Sequence, residues 1–293
     1  MHEPVLLNES TALLNITQDL VYVDCTLGTG GHSYEILKGL NGTGMLIGLD
    51  CDKEILNFTK QKLNQFKNSH LSHSNFINLP SVLELLQIKK ITGGVILDLG
   101  VNSIHFDSPD RGFSFKQDGP LDMRMDKSQE LTANKVINSY KEDKLANIIY
   151  NYGEERHSRQ IAKLISEYKN KNGPIKTTLE LANIILRYYR YITGKSHFKT
   201  HPATKTFQAL RIEVNNELEN LEKFFCFIQE LLLPGSRLTV ISFHSLEDRI
   251  TKKFLKSNKN FKILTKKPIT PSPNEMINNP RARSAKLRAA ERI

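Results

Sequence analysis

The feature that most constrains the fold is a series of short apolar segments that end in an acidic residue. Residues 20–24, 45–50 and 94–99 each have the length and composition of a buried β-strand, and Asp24, Asp50 and Asp98 stand at or next to their carboxyl ends. Segments of helix length separate these strands. Strands that alternate with helices indicate βαβ units and a parallel sheet, so the sequence predicts an α/β fold.

The middle of the chain has a different pattern. Residues 108–126 are rich in Asp, Gly and Pro and are predicted to form a loop, and residues 132–192 show only helical spacing of apolar side chains. The α/β pattern returns near His201, with one helix predicted over 207–233 and a strand over 238–243. Short strands are predicted at 76–77 and 261–264. These patterns predict a discontinuous α/β domain, residues 1–107 and 201–293, and an inserted helical subdomain, residues 108–200.

A glycine-rich turn follows the first predicted strand. Gly28 and Gly30 let backbone N–H groups approach a ligand at the start of a helix, and Asp50 ends the next strand, where an acid can accept the hydroxyls of a ribose. A dinucleotide fingerprint needs a third glycine at position 33, which is Ser33. The spacing from Asp24 to Gly30 instead resembles the first motif of class I S-adenosylmethionine-dependent methyltransferases. Asp98 is then expected near the adenine and the reacting centre.

A closer resemblance covers nearly the whole chain. The sequence resembles the bacterial ribosomal RNA small subunit methyltransferase H (MraW) family. The matching segments are long and occur in the same order: residues 2–7, 24–33, 98–101, 110–115, 119–125, 201–211, 241–249 and 279–284. The resemblance implies a Rossmann-like class I methyltransferase fold with an inserted helical subdomain. It implies transfer of a methyl group from S-adenosyl-L-methionine to the exocyclic N4 of a cytosine in 16S rRNA.

The resemblance also implies which residues bind the cofactor. The family's positions fall on Gly30, Gly31, His32, Asp50, Phe76, Asp98 and His105, and Gly28 belongs to the same loop. At 102–105 the chain has Asn-Ser-Ile-His where the family usually has Ser-Ser-x-Gln, so His105 replaces a glutamine. The sequence assigns no general base, and the candidates are Asp98, Asn102 and Asp122. No metal site is expected, because no Cys or second His stands at ligand spacing from His201 or His244.

The excess positive charge is concentrated at the carboxyl end. The chain carries a formal charge of +10, and residues 251–293 alone hold twelve Lys and Arg against two acids. This pattern indicates a polyanionic partner, which the resemblance identifies as 16S rRNA, with the helical subdomain on the RNA side. The alternative is that residues 284–292 form an edge strand with solvated charges. Residues 187–191, Arg-Tyr-Tyr-Arg-Tyr, are either a stacking platform or an amphipathic helix with tyrosines inward.

Other classes of protein remain to be weighed. A dehydrogenase with a nicotinamide cofactor is disfavoured by Ser33, and an RNA-binding assembly factor without activity would also explain the basic end. The sequence has no long apolar segment and no leader pattern, and its three cysteines are scattered, so a cytoplasmic protein without a membrane anchor is expected. The sequence leaves open whether the protein is a monomer or a homodimer.

Overall fold

The structure is a computed structural model that describes residues 4–293. The chain divides into two compact units, one of residues 4–100 with Leu218–Ile293 and one of Val101–Glu217. The predicted domain boundaries lay at 107 and 201, whereas residues 201–217 belong to the helical unit here, since the helix Thr204–Asn215 packs on the helix Glu142–Gly153. None of the helices within the described residues is long and apolar enough to cross a lipid bilayer.

The first unit is built on a seven-stranded sheet within the described residues. Its strands, in chain order, are β1 Val21–Asp24, β2 Met45–Asp50, β3 Ser69–His73, β4 Gly94–Asp98, β5 Arg237–Ser242, β6 Phe261–Ile263 and β7 Lys286–Arg292. The strand order is β3-β2-β1-β4-β5-β7-β6. β1 to β5 pair in parallel, and β7 runs antiparallel to both of its neighbours. Asp24, Asp50 and Asp98 are the last residues of β1, β2 and β4, so the predicted α/β sheet and its acidic edge are confirmed.

Helices of the first unit cover both faces of this sheet. The helices of both units, in chain order, are α1 Leu7–Leu14, α2 Gly31–Leu40, α3 Lys53–Lys62, α4 Leu79–Leu85, α5 Ser103–Asp107, α6 Ala133–Ser139, α7 Glu142–Gly153, α8 Ser158–Asn172, α9 Thr178–Thr193, α10 Thr204–Asn215, α11 Glu217–Leu231, α12 Ser245–Ser257 and α13 Pro273–Asn278. α1, α2 and α3 pack on one face, where Tyr22 and Ile96 point, and α4, α11 and α12 pack on the other, where Val23 and Val95 point. Because side chains alternate along a strand, each strand feeds both cores.

The basic carboxyl end is part of the sheet. The alternative that residues 284–292 form an edge strand was right about the strand and wrong about its place, because β7 lies between β5 and β6 and pairs with both. Leu287, Ala289 and Ala290 are buried, and the guanidinium of Arg288 is neutralised by Asp248 at 2.7 Å. The alternation of charged and small residues suggested one solvated face, but a buried ion pair covers that face instead.

Three other local predictions were wrong. Residues 76–77 belong to a short 3₁₀ helix, Phe76–Asn78, and the third strand is β3, whose polar sequence SHLSH gave no strand signal. The helix predicted over 207–233 is two helices, because Asn216 adopts a left-handed conformation with φ 51° between α10 and α11. Asparagine tolerates this conformation better than most residues, so the break has a local cause.

The second unit, Val101–Glu217, is helical and has its own core. α6 to α10 bury a continuous apolar cluster that includes Ile149, Ile165, Ile185 and Leu210. Tyr188 and Tyr189 of α9 point inward, where Tyr189 donates to Glu155 at 2.7 Å, whereas the side chain of Tyr191 is 88% exposed. Residues 187–191 therefore form an amphipathic helix end, with one tyrosine left at the surface.

Candidate functional site

The glycine-rich loop connects β1 to α2 at the carboxyl edge of the sheet. Gly30 is the residue before α2 and has a φ of +73°, a left-handed conformation that an L side chain rarely adopts. A Cβ on Gly31 would lie 2.0 Å from Cγ of Pro4, so the chain approaches this glycine too closely for any side chain. The hydroxyl of Thr59 donates a hydrogen bond to the carbonyl of Gly28 at 2.6 Å and fixes the loop on α3. The loop thus presents the amino end of α2, as expected for binding an anionic group.

Asp50 closes β2 and holds the loop from the other side. Its Oδ2 accepts from the N–H of Gly28 at 2.8 Å, and its Oδ1 accepts from the N–H of Asp52 at 2.8 Å. Burial raises the pKa of Asp50 to about 6, against the lowering effect of these two hydrogen bonds. Each carboxylate oxygen keeps a further lone pair, so the geometry leaves Asp50 able to accept hydroxyl groups.

Asp98 and His32 lie together at the same edge, where His32 is buried and the side chain of Asp98 is 24% exposed. His32 Nδ1 lies 3.9 Å from Asp98 Oδ2, and the backbone N–H of Asp98 donates to Thr26 Oγ1 at 2.6 Å. Among the described residues, Asp98 Oδ1 and His32 Nε2 are buried atoms with no hydrogen-bond partner. Buried polar atoms are nearly always paired in native proteins, so these two are available to a ligand.

The charge states of this pair are set by their burial. Burial, together with the nearby carboxylates of Asp24 and Glu247, raises the pKa of Asp98 well above its usual range. Burial also lowers the pKa of His32 to about 4, so the imidazole is neutral at physiological pH. A carboxyl of raised pKa beside a neutral imidazole is an environment in which a bound cation or an amine donor would be favoured.

Phe76 lies at the start of the 3₁₀ helix after β3. Its ring is half-buried and contacts Phe224 edge-on, with ring centroids 5.7 Å apart and an interplanar angle of 88°. Phe76 thus packs on the sheet's core while part of its ring surface remains exposed. This placement is compatible with both a core role and stacking against an adenine.

The remaining predicted residues lie in the second unit. Asn102 precedes α5, and its Oδ1 accepts from the N–H of Ile104 at 3.0 Å. His105 is buried and stacks on Phe113, with ring centroids 5.0 Å apart. Asp122 forms two hydrogen bonds of 2.8 Å to Arg124. Burial raises the pKa of Asp122, but the hydrogen bonds and charge of Arg124 outweigh it and hold the pKa below its usual value.

Comparison with known proteins places this site in a family. The family model described as the MraW methylase family matches residues 1–293. The chain belongs to this family. Ribosomal RNA small subunit methyltransferase H of Fervidobacterium nodosum is 48% identical, covering 100% of this chain and 97% of that protein. The protein of the same name from Halothermothrix orenii is 45% identical, covering 100% and 98%.

A solved structure shares the fold of this chain. The crystal structure of the protein PH0851 aligns with 100% of this chain and 46% of that chain, at 12% identity and a TM-score of 0.50. At this identity the likeness concerns the fold alone. The chain is an S-adenosylmethionine-dependent methyltransferase of the class I, Rossmann-like type, which confirms the predicted fold class and cofactor and removes the dehydrogenase alternative.

The residues at the sheet edge fit the cofactor. S-adenosylmethionine carries a ribose diol, a carboxylate and an ammonium group. The edge offers Asp50 as an acceptor for the diol and the amino end of α2 as a site for the carboxylate, and the unpartnered Asp98 Oδ1 lies at the same edge as a further acceptor. All of these groups lie within the first unit.

Several supporting residues were not found from the sequence. Ser33 donates to Asp24 Oδ2 at 2.7 Å, which gives a physical reason for serine where a dinucleotide site has glycine. Two threonine side chains anchor the loop. Thr59 of α3 donates to the carbonyl of Gly28, and Thr26 accepts from the backbone N–H of Asp98 at the end of β4. Ser33 stood within the motif and could have been recognised as a partner for the preceding acid. Thr59 has no local signal, because its contact with Gly28 spans 31 positions of sequence.

We expect Asp24, the buried acid at the end of β1, to lower the free energy of unfolding of the cofactor-free protein as pH rises. Burial raises the pKa of Asp24 to about 6 from 3.8, against hydrogen bonds from Ser33 and Thr26. The folded state therefore holds this proton more tightly than the unfolded state, and the group's contribution to stability falls between about pH 4 and pH 6. Relative to wild type, the free energy of unfolding of Asp24→Asn should increase by about 2–3 kcal/mol between pH 4 and pH 7.

The measurement is urea unfolding of both proteins without cofactor across this pH range. His32 acts in the opposite direction, because its lowered pKa makes stability rise with pH between about 4 and 6.5. Since both proteins contain His32, its contribution cancels in the difference between their free energies of unfolding. A difference that stays constant with pH would show that Asp24 does not titrate in this range.

Proposed function

We propose that this chain transfers the methyl group of S-adenosylmethionine to the exocyclic N4 of a cytosine in 16S rRNA of the small ribosomal subunit. The observation that carries the proposal is the match to the MraW methylase family over the whole chain, with relatives named ribosomal RNA small subunit methyltransferase H at 45–48% identity. The unpartnered polar atoms at the sheet edge supply a site for the chemistry.

In this proposal the first unit binds the cofactor. Asp50 accepts the ribose hydroxyls, and the loop of Gly28, Gly30 and Gly31 leads into α2, whose amino end faces the methionine carboxylate. His32 lies in the first turn of α2, and Phe76 lies against the adenine. Of the cofactor contacts implied by the family resemblance, the one assigned to His105 is the least supported, because its imidazole stacks on Phe113 and belongs to the second unit.

Bound S-adenosylmethionine supplies an electrophilic methyl group on a sulfonium. The protein's part is to align the acceptor amine with that group and to manage its protons. The cytosine amine is a weak nucleophile because its lone pair is conjugated with the ring. A hydrogen-bond acceptor beside the amine orients its N–H bonds and favours the geometry from which nitrogen attacks. The amine must also lose a proton after the new C–N bond forms.

Asp98 is the best placed of the three acceptor candidates. Its Oδ1 is buried without a partner at the end of β4, and burial and nearby acids raise its pKa. Asp122 is occupied by Arg124, and Asn102 Oδ1 accepts from the backbone of its own helix. We therefore assign to Asp98 the hydrogen bond to the acceptor amine, and leave Asn102 and Asp122 with structural roles.

The RNA is proposed to reach this site as an unpaired nucleotide. A paired and stacked cytosine hides its amine, so the target base must be presented singly. The helical unit, corresponding to the predicted inserted subdomain, is proposed to lie on the RNA side. The cytoplasm is the proposed compartment, since ribosomal subunits are the substrate and all three cysteines are free thiols.

The test is mass spectrometry of 16S rRNA from cells with and without the gene. We expect one methylated cytidine to disappear on deletion and to return with the wild-type gene but not with Asp98→Asn. Return of the modification with Asp98→Asn would remove Asp98 from the mechanism. An unchanged modification pattern on deletion would contradict the function itself. A growth or assembly defect without any loss of methylation would favour the RNA-binding assembly factor.

A further inference from the structure

A dense group of lysines covers one margin of the sheet. Residues 249–274 contain no acid, and the group comprises Lys252, Lys253, Lys256, Lys259, Lys262, Lys266 and Lys267, which we name the lysine margin. Every one of these side chains is exposed. Within residues 4–293, none of their ammonium groups forms an ion pair or hydrogen bond with another residue.

Three consecutive elements bring these lysines together. α12 buries Leu246, Thr251 and Leu255 against the sheet, so Lys252, Lys253 and Lys256 point away from it. The turn after α12 carries Lys259. β6 is the outermost strand, and Lys262 lies on it, followed by the lysines at 266 and 267. The margin is thus one continuous part of the first unit's surface.

Two acids that lie beside these lysines in the fold are already neutralised. Glu291 is the cross-strand neighbour of Lys262, but its carboxylate pairs with Arg237 at 2.9 Å. Asp248, one helical turn before Lys252, is held by Arg288 at 2.7 Å and lies 3.4 Å from Lys286. The positive charge of the lysine margin is therefore not compensated by these carboxylates.

We propose that the lysine margin is a docking surface for the phosphate backbone of the rRNA substrate, separate from the cofactor loop. This inference rests on the proposed rRNA substrate. Lysines arranged along an exposed margin contact phosphates without reading bases, and each contact releases counterions. The margin therefore contributes affinity and its salt dependence, not the choice of nucleotide. The competing explanation is that lysines beside the edge strand β6 only prevent strand pairing between molecules.

The test compares two sets of exposed lysines on the first unit. The test variant is Lys252→Gln, Lys253→Gln and Lys256→Gln, and the control is Lys60→Gln, Lys67→Gln and Lys89→Gln, which are also exposed. Binding of each cofactor-saturated protein to small ribosomal subunits is measured at several salt concentrations. We expect the test variant to bind about tenfold or more weakly, and each lost contact to flatten the log–log salt slope by about 0.7–0.9.

Methylation kinetics give a second readout. We expect the test variant to raise KM for the subunit and to leave kcat and cofactor affinity unchanged, because the margin does not touch the reacting atoms. A slope and KM equal to those of the control would overturn the proposal, and aggregation alone would support edge protection. If the variant loses cofactor affinity, Lys262→Gln, Lys266→Gln and Lys267→Gln provides the same comparison. Failure of the proposed function would appear separately, as wild-type protein that methylates no rRNA.

An independent observation concerns the segment that covers the glycine loop. Glu275 of α13 accepts the backbone N–H of Leu6 through Oε1 at 2.7 Å, across 269 positions of sequence. Leu6 is completely buried and has a φ of 52°, a conformation that costs a non-glycine residue about 1–2 kcal/mol. The carboxylate therefore holds a strained turn at the start of α1.

The residues at and before this turn contact the cofactor loop and the first turn of α2. Pro4, two residues earlier, lies against Gly31, where an added Cβ would be 2.0 Å from Pro4 Cγ. Val5 is buried with Leu6 in a small cluster that also includes Ile241 and Leu287. A hydrogen bond that the His32 ring donates to the backbone of Val5 partly offsets the lowering of the His32 pKa by burial. A continuous series of contacts therefore connects Glu275 with His32.

We infer that Glu275 is a positioning residue for the cofactor site, acting through residues 4–6 on Gly31 and His32. This inference rests on the proposed cofactor site. We expect Glu275→Ala to weaken S-adenosylmethionine binding about five- to tenfold in calorimetry, with kcat at saturating cofactor unchanged. Glu275→Gln should stay within about twofold of wild type, because its amide oxygen accepts the same hydrogen bond. Asn278→Ala, an exposed change on the same helix, is the control.

The rescue by glutamine separates positioning from general stability. A loss of thermal stability in Glu275→Ala with unchanged cofactor affinity would overturn the inference, as would equal effects of the alanine and glutamine variants. If Glu275→Ala does not fold, Glu275→Asp keeps the charge but shortens the reach, and the same comparison with Glu275→Gln applies. Wild-type protein that binds no S-adenosylmethionine would instead contradict the proposed cofactor site.

Discussion

Gly30→Val is expected to abolish binding of S-adenosylmethionine. Gly30 has a φ of +73°, and a Cβ built there would lie 2.6 Å from Cγ2 of Thr59 and 3.3 Å from Cδ1 of Leu63. Valine at a left-handed position costs about 1–3 kcal/mol in backbone strain before any clash is counted. Thr59 cannot move freely to make room, because its hydroxyl holds the carbonyl of Gly28 at 2.6 Å. The loop must therefore leave its position.

A displaced loop no longer presents its N–H groups at the amino end of α2. We expect the affinity measured by calorimetry to fall at least about a hundredfold, which corresponds to about 2.7 kcal/mol. The matched control is Gly42→Val. Gly42 also has a positive φ, +83°, but nothing lies within 4 Å of its Cβ position. That variant should lose some stability and keep its cofactor affinity, whereas equal affinities for both variants would contradict the loop's role.

Asp98→Asn is expected to lower kcat by about 10²- to 10⁴-fold, the range typical of a lost proton-handling group. The substitution keeps the shape of the side chain, and the backbone hydrogen bond to Thr26 is unaffected. The amide offers one oxygen acceptor of lower basicity and cannot take a proton from the cytosine amine. Cofactor affinity should change less than tenfold, so the loss falls on the chemical step. Single-turnover methylation of small ribosomal subunits at saturating cofactor measures it.

The same variant should be more stable than wild type without cofactor at neutral pH. Burial and the neighbouring acids raise the pKa of Asp98, so ionising it in the folded state costs free energy that asparagine avoids. The sign follows from linkage: the advantage of Asp98→Asn disappears below the usual pKa of an aspartate, where both side chains are neutral. A variant that is both less active and less stable at neutral pH would indicate that Asp98 is structural. Urea unfolding at pH 4 and pH 7 distinguishes these outcomes.

The sequence predicted the α/β architecture because its signals are local. An apolar run bounded by turns specifies a buried strand whatever its neighbours are, and the carboxyl ends of parallel strands share one edge. Asp24, Asp50 and Asp98 could therefore be placed together before their distances were known. The polar strand β3 and the break at Asn216 were missed, because neither has an apolar pattern of its own.

Tertiary structure decided which of the candidate acids has a free oxygen. Asp98 and Asp122 were both candidates for the general base in the sequence, but Asp122 is paired with Arg124, whereas Asp98 Oδ1 is buried without a partner. It also decided that the basic carboxyl end is a strand inside the sheet and an exposed lysine margin, not a tail. Composition gives the amount of charge, but only the packing of α12 and β6 determines which charges face solvent. The hydrogen bond from Leu6 to Glu275 joins residues 269 positions apart, and no local pattern can encode such a contact.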